Sequence, residues 1–452
     1  MNTVTLVGTA VGSVLLLLFL VMKARMHAFV ALMLVSIAAG IFSGMPLDRI
    51  ADTMQKGMGD TLGFLAIVVA LGAMFGKILH EVGALDQIAA HLLKRFGQSK
   101  AHYALGIAGL ICALPLFFDV AVVLLIGIVF AVARRTDGNI VKLAIPLFAG
   151  VAAAASFLLP GPVPMLLASQ MKADFGWMIA IGLVAAVLGM LIAGPLYGSF
   201  ISRYVNWSMP ADENEPTLNT AKLPSFGLSL ALVLCPLVLV GMKTIGARLV
   251  TPGSQLQQWL EFIGHPFIAI LVACLIVIYG LAKPRGMTNE QTLAICSAAV
   301  QPAGIILLMT GAGGVFKQIL VDSGVGPALG DAMIGTGLPI AVAAFVLSAM
   351  VRVIQGSATV ACLTTVGLVL PVTSQLGLGG GQLGLGGGQL AALAICIAGG
   401  SIVLSHVNDA GFWLFGKFTG ANELQTLKTW TVMETILGSV GGIIGMIAFT
   451  LF

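Results

Sequence analysis

The chain alternates between long apolar runs and short polar joints. About 20 apolar residues are needed for a helix to cross the hydrocarbon core. Runs of that order lie at roughly 3–22, 27–44, 61–80, 141–170, 176–198, 225–245, 264–283, 300–320, 390–416 and 429–452. Two further stretches, 102–134 and 338–372, are too long for one crossing and carry polar or helix-breaking residues at mid-depth. The first is interrupted at Pro115–Asp119 and the second at Gln355–Thr359, so each is read as a re-entrant hairpin. The expected fold is an all-α polytopic membrane protein with ten crossings and two re-entrant hairpins.

Composition supports a bilayer environment. The chain is 58% hydrophobic and only 9% charged, with a mean hydropathy of +1.05, against about 25% charged residues in soluble domains. That excludes a soluble globular domain, a disordered chain and a secreted disulfide scaffold. A net charge of +4 without a basic cluster gives no reason to expect a nucleic-acid partner. The six cysteines sit in or beside apolar runs without a CxxC pair, and read as small hydrophobes. Val4–Met22 has no basic segment before it and no small-residue cleavage site after it, so it reads as a retained helix. With ten crossings, 14 lysines and arginines fall on one side and 6 on the other. Lys77 and Arg352 lie inside apolar runs. The positive-inside rule assigns the richer side to the cytoplasm, which places both termini on the outer side.

The second half of the chain resembles the first. Phe75–Gly83 (FGKILHEVG) aligns with Phe316–Gly324 (FKQILVDSG) at an offset of 241, and the same offset lays the first hairpin over the second. Residues 376–389 read LGLGGGQ twice, and adding those seven residues brings Pro160-Gly161-Pro162 over Asn408-Asp409-Ala410. Five crossings per half is an odd number, so the halves would have opposite orientation. Inverted repeats with paired discontinuous segments are the architecture of secondary transporters. The expected domains are 1–205 (hairpin 102–134, broken helix 141–170), a cytoplasmic linker 206–224, and 225–452 (hairpin 338–372, broken helix 390–416).

Polar groups at membrane depth are costly unless satisfied, and are functional candidates for that reason. Four clusters qualify, one at each break. Leu116–Asp119 carries Phe118 and a carboxylate in an otherwise uncharged run. Pro160–Pro164, including Gly161 and Pro162, cannot continue a helix. Gln355, Gly356, Ser357 and Thr359 form a small hydroxylic tip. Ser405, His406, Asn408 and Asp409 are the densest polar group within any run. Arg352 has two open readings, an interfacial snorkel or an attractor for an anion, and Glu434, near a helix end, reads as interfacial. No metal-ligand spacing, phosphate loop or cofactor motif accompanies these residues. Helix N-termini at the breaks favour an anionic group, and a buried carboxyl can take up a proton. Asp119, Asp409 and His406 are the candidate proton-coupling groups, in an ion-coupled carrier of a small polar anion. A membrane enzyme lacks any nucleophile motif here, and a passive channel would be told apart by lack of accumulation.

The strings LFFDV (116–120), GAGGVFK (311–317), VDSGVGPALG (321–330), QGSATVA (355–361), SHVNDAGFW (405–413) and LKTW (427–430) resemble the gluconate permease family, the gluconate:proton symporters, over essentially the whole chain. The resemblance implies uptake of D-gluconate or a related sugar acid across a bacterial inner membrane, driven by the proton gradient; the outer side assigned to the termini by the charge distribution is then periplasmic. It also implies a homodimer whose mobile transport domain, holding both hairpins, slides in an elevator-type movement against a scaffold. Asp119, Ser357, Thr359, His406, Asn408 and Asp409 match the family's hairpin and break positions. One departure stands out. Many members carry a PPHPGP-type string where this chain has Phe157-Leu-Leu-Pro-Gly-Pro162, so the family histidine falls on Leu159. That leaves open a weaker affinity or another small acid such as D-glycerate, D-serine or a hexuronate. The tandem LGLGGGQ reads as a duplication in an outer loop without chemistry. Deleting one copy is expected to leave uptake close to that of the intact protein, measured with the radiolabelled sugar acid; abolished uptake would make the loop functional.

Overall fold

The computed structural model describes residues 3–136, 139–205, 223–250, 253–301, 303–324, 338–375, 386–406 and 409–452. Among the described residues the regular structure is entirely helical. In chain order the helices are α1 Thr3–Leu18, α2 Ala28–Phe42, α3 Leu47–Glu81, α4 Ala84–Phe96, α5 Ala101–Cys112, α6 Phe118–Thr136, α7 Ile140–Phe157 and α8 Pro162–Met171. There follow α9 Phe175–Ile201, α10 Phe226–Leu249, α11 Gln255–Ile263, α12 Pro266–Arg285, α13 Asn289–Val300 and α14 Ala303–Asp322. The last group is α15 Ile340–Gln355, α16 Ala358–Gln375, α17 Gly386–Gly400, α18 Ala410–Thr419 and α19 Glu423–Leu451. Six of the described helices are long and apolar enough to cross a membrane, and four shorter ones are strongly apolar. The expected linker, apart from its last two residues, and most of the tandem repeat lie outside the described residues.

The apolar runs fall on helices, with one large boundary difference. A crossing expected at 61–80 belongs to a helix of 35 residues that begins at Leu47. Charged residues at 48, 49, 52, 56 and 60 lower the local hydropathy and hide its first half. Helical periodicity accounts for it. Asp48, Asp52, Lys56 and Asp60 form an exposed i, i+4 stripe, while Ile50, Thr53, Gly57 and Thr61 are buried on the opposite face. Three helices outside the expected crossings, α4, α11 and α13, are also polar on part of their surface for the same reason.

Two of the four helices that lead into breaks, α7 and α17, form the interior of the molecule. In α7, 89% of the residues are buried, and in α17 every residue from Leu390 to Gly400 is. A helix apolar all round suits either a protein core or a lipid-facing span, and these two take the core position. Close approach is what encloses these two. A Cβ on Gly150 of α7 would stand 2.1 Å from the Gly106 carbonyl oxygen of α5. Likewise a Cβ on Gly399 of α17 would stand 2.6 Å from the Gly438 carbonyl oxygen of α19. Small residues at such crossings let backbones approach where lipid offers no hydrophobic driving force. Asn139 fixes the start of α7: its side-chain oxygen accepts from the Val141 N–H at 2.9 Å, and its amide donates to the carbonyls of Ser202 and Val205 at 3.0 and 3.2 Å. The breaks themselves run from Ala113 to Phe117, Leu158 to Gly161 and Gly356 to Ser357, and the fourth, between α17 and α18, is described at Ser401–His406 and Asp409.

Overpacking a filled crossing costs about 1–3 kcal/mol. Gly150→Val is therefore expected to lower the thermal unfolding midpoint of the detergent-solubilised protein. Gly241→Val, at a position with nothing within 4 Å, serves as the control that should not.

Candidate functional site

The helix starts that follow all four breaks line one cavity of about 410 Å³. The start of α6 contributes Phe118 and Asp119, the start of α8 Val163, the start of α16 Ala358 and Thr359, and the start of α18 Ala410 and Gly411. Four helix N-termini thus converge on the same space. Each presents the positive end of a helix dipole to the cavity, which favours an anion; at α16 and α18 part of the first turn is already capped, by Ser357 and Asp409.

The described lining residues hold one guanidinium, Arg352, against three carboxyl groups, Asp119, Asp409 and Glu434. Arg352, on the last turn of α15, is 4% exposed. Its Nη1 donates to the Gly356 carbonyl, and its Nη2 donates to Asp409 Oδ2 in an ion pair. Gly356 permits this turn because it ends α15 with φ +82°, a left-handed conformation that costs glycine little. Asp409 caps the N-terminus of α18, where its Oδ1 accepts from the Gly411 N–H at 3.3 Å. The same carboxylate accepts from the Ser405 hydroxyl, and Ser405 Oγ in turn accepts from Trp430 Nε1 at 2.7 Å. The Trp430 indole is itself buried, stacked at an angle on Phe118 with ring centroids 5.5 Å apart and edge-on to Phe148 at 5.8 Å. An apolar wall therefore holds a polar chain that runs from Trp430 through Ser405 to Asp409 and Arg352.

The sequence-based candidates are distributed as follows. Phe118, Asp119, Gly356, Ser357, Thr359 and Asp409 line the cavity. Ser405 stands directly behind Asp409, 1% exposed. His406 is turned the other way, its Nε2–H donating to the Val353 carbonyl at 2.8 Å, which fixes the break. Gly161 is the N-cap position of α8 at the second break and does not line the cavity. Asn408 and the side chains of Pro162 and Gln355 lie outside the described residues.

Two readings change. Arg352 is neither a snorkel nor free, since burial and two hydrogen bonds commit it to the cavity wall. Glu434, read from sequence as interfacial, is 2% exposed and lines the cavity. Sequence reasoning also missed Ser156 and Trp430. The available signal was helical spacing: Trp430 and Glu434 are four apart and share a face of α19. A larger opening of about 1320 Å³ lies at the ends of α3 and α12, around Asp86, Arg285 and Gln291, and none of the breaks reaches it. Among the described residues no cluster of three or more His, Cys, Asp or Glu side chains could hold a metal ion.

Broken helices, buried charge and an anion-attracting cavity between apolar helices define a membrane permease. The comparisons identify which one in kind. The model of the GntP family permeases matches residues 4–451, and the chain belongs to that family. It is 72% identical to the low-affinity gluconate transporter of Escherichia coli K12 over 451 residues, covering 100% of both chains. It is 37% identical to the gluconate permease of Pseudomonas aeruginosa, covering 96% of this chain and 95% of that one. Among solved structures it is similar in fold to the YdaH transporter of Alcanivorax borkumensis, with a TM-score of 0.63 at 18% identity, covering 92% of this chain and 97% of that one. The relatives are transporters, and the chain is a transport protein rather than an enzyme.

Removing one partner of a buried ion pair costs about 3–5 kcal/mol, because the other charge is stranded. Arg352→Met is expected to destabilise the protein strongly, and Arg352→Met with Asp409→Asn to be more stable than Arg352→Met alone. Thermal unfolding of the single and double variants checks this, and additive losses would mean that the two side chains are not coupled.

Proposed function

We propose that this permease imports D-gluconate across a bacterial inner membrane, driven by protons. The observation that carries the reading is the convergence of four helix N-termini and Arg352 on one cavity. A sugar acid has one carboxylate and several hydroxyls. The N–H groups and guanidinium suit the former; Ser156, Ser357 and Thr359 suit the latter. The names of the relatives support the same substrate, with the identity of 72% to a low-affinity gluconate transporter weighing most. Proton coupling is supported by carboxyl groups at the cavity, where Asp119 and Asp409 stand among the sequence-based candidates. A second substrate in the same class has one argument, the 32% identical L-idonate transporter of Escherichia coli K12.

The architecture proposed is two inverted repeats, 1–205 and 225–452, with α5–α6 and α15–α16 as the re-entrant hairpins. Element boundaries support it. Helices α8 and α9 begin at 162 and 175, and α18 and α19 begin at 410 and 423, 248 residues later in both cases; 248 is the sequence offset of 241 plus the seven-residue insertion. Upstream of the insertion, Gly83 and Gly324 end corresponding helices with φ +74° and +75°, at the offset of 241. The distribution of lysine and arginine, 14 against 6, supports termini on the periplasmic side. Elevator-type movement of the four-break unit in a homodimer completes the proposal.

Purified protein in proteoliposomes is expected to concentrate radiolabelled D-gluconate under an inward proton gradient, and a protonophore should collapse the accumulation. Uptake that merely equilibrates, whatever the gradient, would make the protein a facilitator.

A further inference from the structure

We propose that Glu434 is the residue that carries the transported proton, while the Arg352–Asp409 pair stays charged through the cycle. The inference deepens the proton-coupled reading above and rests on it. Trp430 and Thr431 of α19 both face Ser405, to which each donates a hydrogen bond. Glu434 lies one turn further along the same face and lines the cavity. It is 2% exposed, and its Oε1 has no hydrogen-bond partner.

The charged and titratable groups that share the cavity with it are Arg352 on α15, Asp409 at the start of α18 and Asp119 at the start of α6. Arg352 gives its Nη1 to the Gly356 carbonyl and its Nη2 to Asp409, while its buried Nε has no partner. Asp409 accepts from Arg352, Ser405 and the Gly411 N–H, so its carboxylate is already engaged by three donors. His406 is held by the Val353 carbonyl, outside the cavity lining. Asp119 is open to the cavity, where water can solvate its charge. Glu434 alone combines full burial with an oxygen that nothing satisfies. An ionised carboxylate in that position is costly, and protonation removes the cost.

This arrangement links proton to anion by charge balance. A substrate carboxylate beside ionised Glu434 would set two further negative charges against a guanidinium already paired with Asp409. Substrate therefore enters with Glu434 neutral. The O–H bond forms on Glu434 with a proton from the outer water and breaks to the inner water. One proton then accompanies one monovalent anion, and the pair moves no net charge.

Glu434→Gln keeps the size and neutrality of the acid but cannot release a proton. Reconstituted E434Q is expected to lose gradient-driven gluconate accumulation by about tenfold or more, and to retain gluconate counterflow at equal pH. That counterflow should be flat between about pH 5.5 and 8.5, where the intact protein's declines as pH rises. Glu434→Asp, which keeps a titratable group, should recover part of the accumulation, and its unfolding midpoint establishes that the site tolerates substitution. Normal accumulation by E434Q, or loss of both accumulation and counterflow in a variant that is folded, overturns the assignment. Failure of the coupling reading itself is visible beforehand, as an intact protein whose uptake ignores the proton gradient.

Discussion

The buried pair of Arg352 and Asp409 is the constraint around which the rest is arranged. Separating either charge from water is expensive, and mutual attraction offsets the expense only when the remaining donors and acceptors are also satisfied. Every neighbouring element contributes to that. Gly356 turns its carbonyl to the guanidinium, Ser405 turns its hydroxyl to the carboxylate, and the start of α18 supplies a backbone N–H. Trp430 then anchors Ser405 from a third helix. Breaking a helix in the membrane frees backbone groups, and they are tolerated only where protein or a wet cavity receives them. Here freed backbone groups satisfy much of the charged pair, though the buried Arg352 Nε has no partner.

Packing explains why such a site can be held still. Helices α7 and α17 are enclosed on all sides, and their glycine crossings with α5 and α19 leave no room for a side chain. Their ends are therefore placed by backbone contact rather than by flexible side chains. The aromatic cluster of Phe118, Phe148 and Trp430 closes the apolar side of the cavity. Rigid surroundings and a few polar groups at helix termini are what a selective carrier needs to distinguish one small anion from another.

Much of this was legible in the amino-acid order, because bilayer thickness imposes a length on apolar runs and polar residues stand out within them. All four breaks were located that way, and six of the cavity-lining residues with them. What escaped did so for physical reasons. Half of α3 was hidden because its charges lower the mean hydropathy while leaving its periodicity intact. Glu434 looked interfacial because distance from a run's end measures depth along one helix and cannot reveal which helices cover it. Arg352 stayed ambiguous since its partner lies 57 residues away, and pairing at that separation is settled by tertiary packing alone.

That separation has a consequence for biosynthesis. Ribosomes add about 5–20 residues per second, so on the order of seconds pass between the emergence of Arg352 and that of Asp409. During the interval α15 holds a guanidinium with no counter-charge and cannot settle at its final depth. Trp430, which positions Ser405, emerges later still. Final seating of α15 is thus a late event, gated by the appearance of the downstream segment, and a nascent chain arrested between the two residues would expose a half-built site to the insertion machinery.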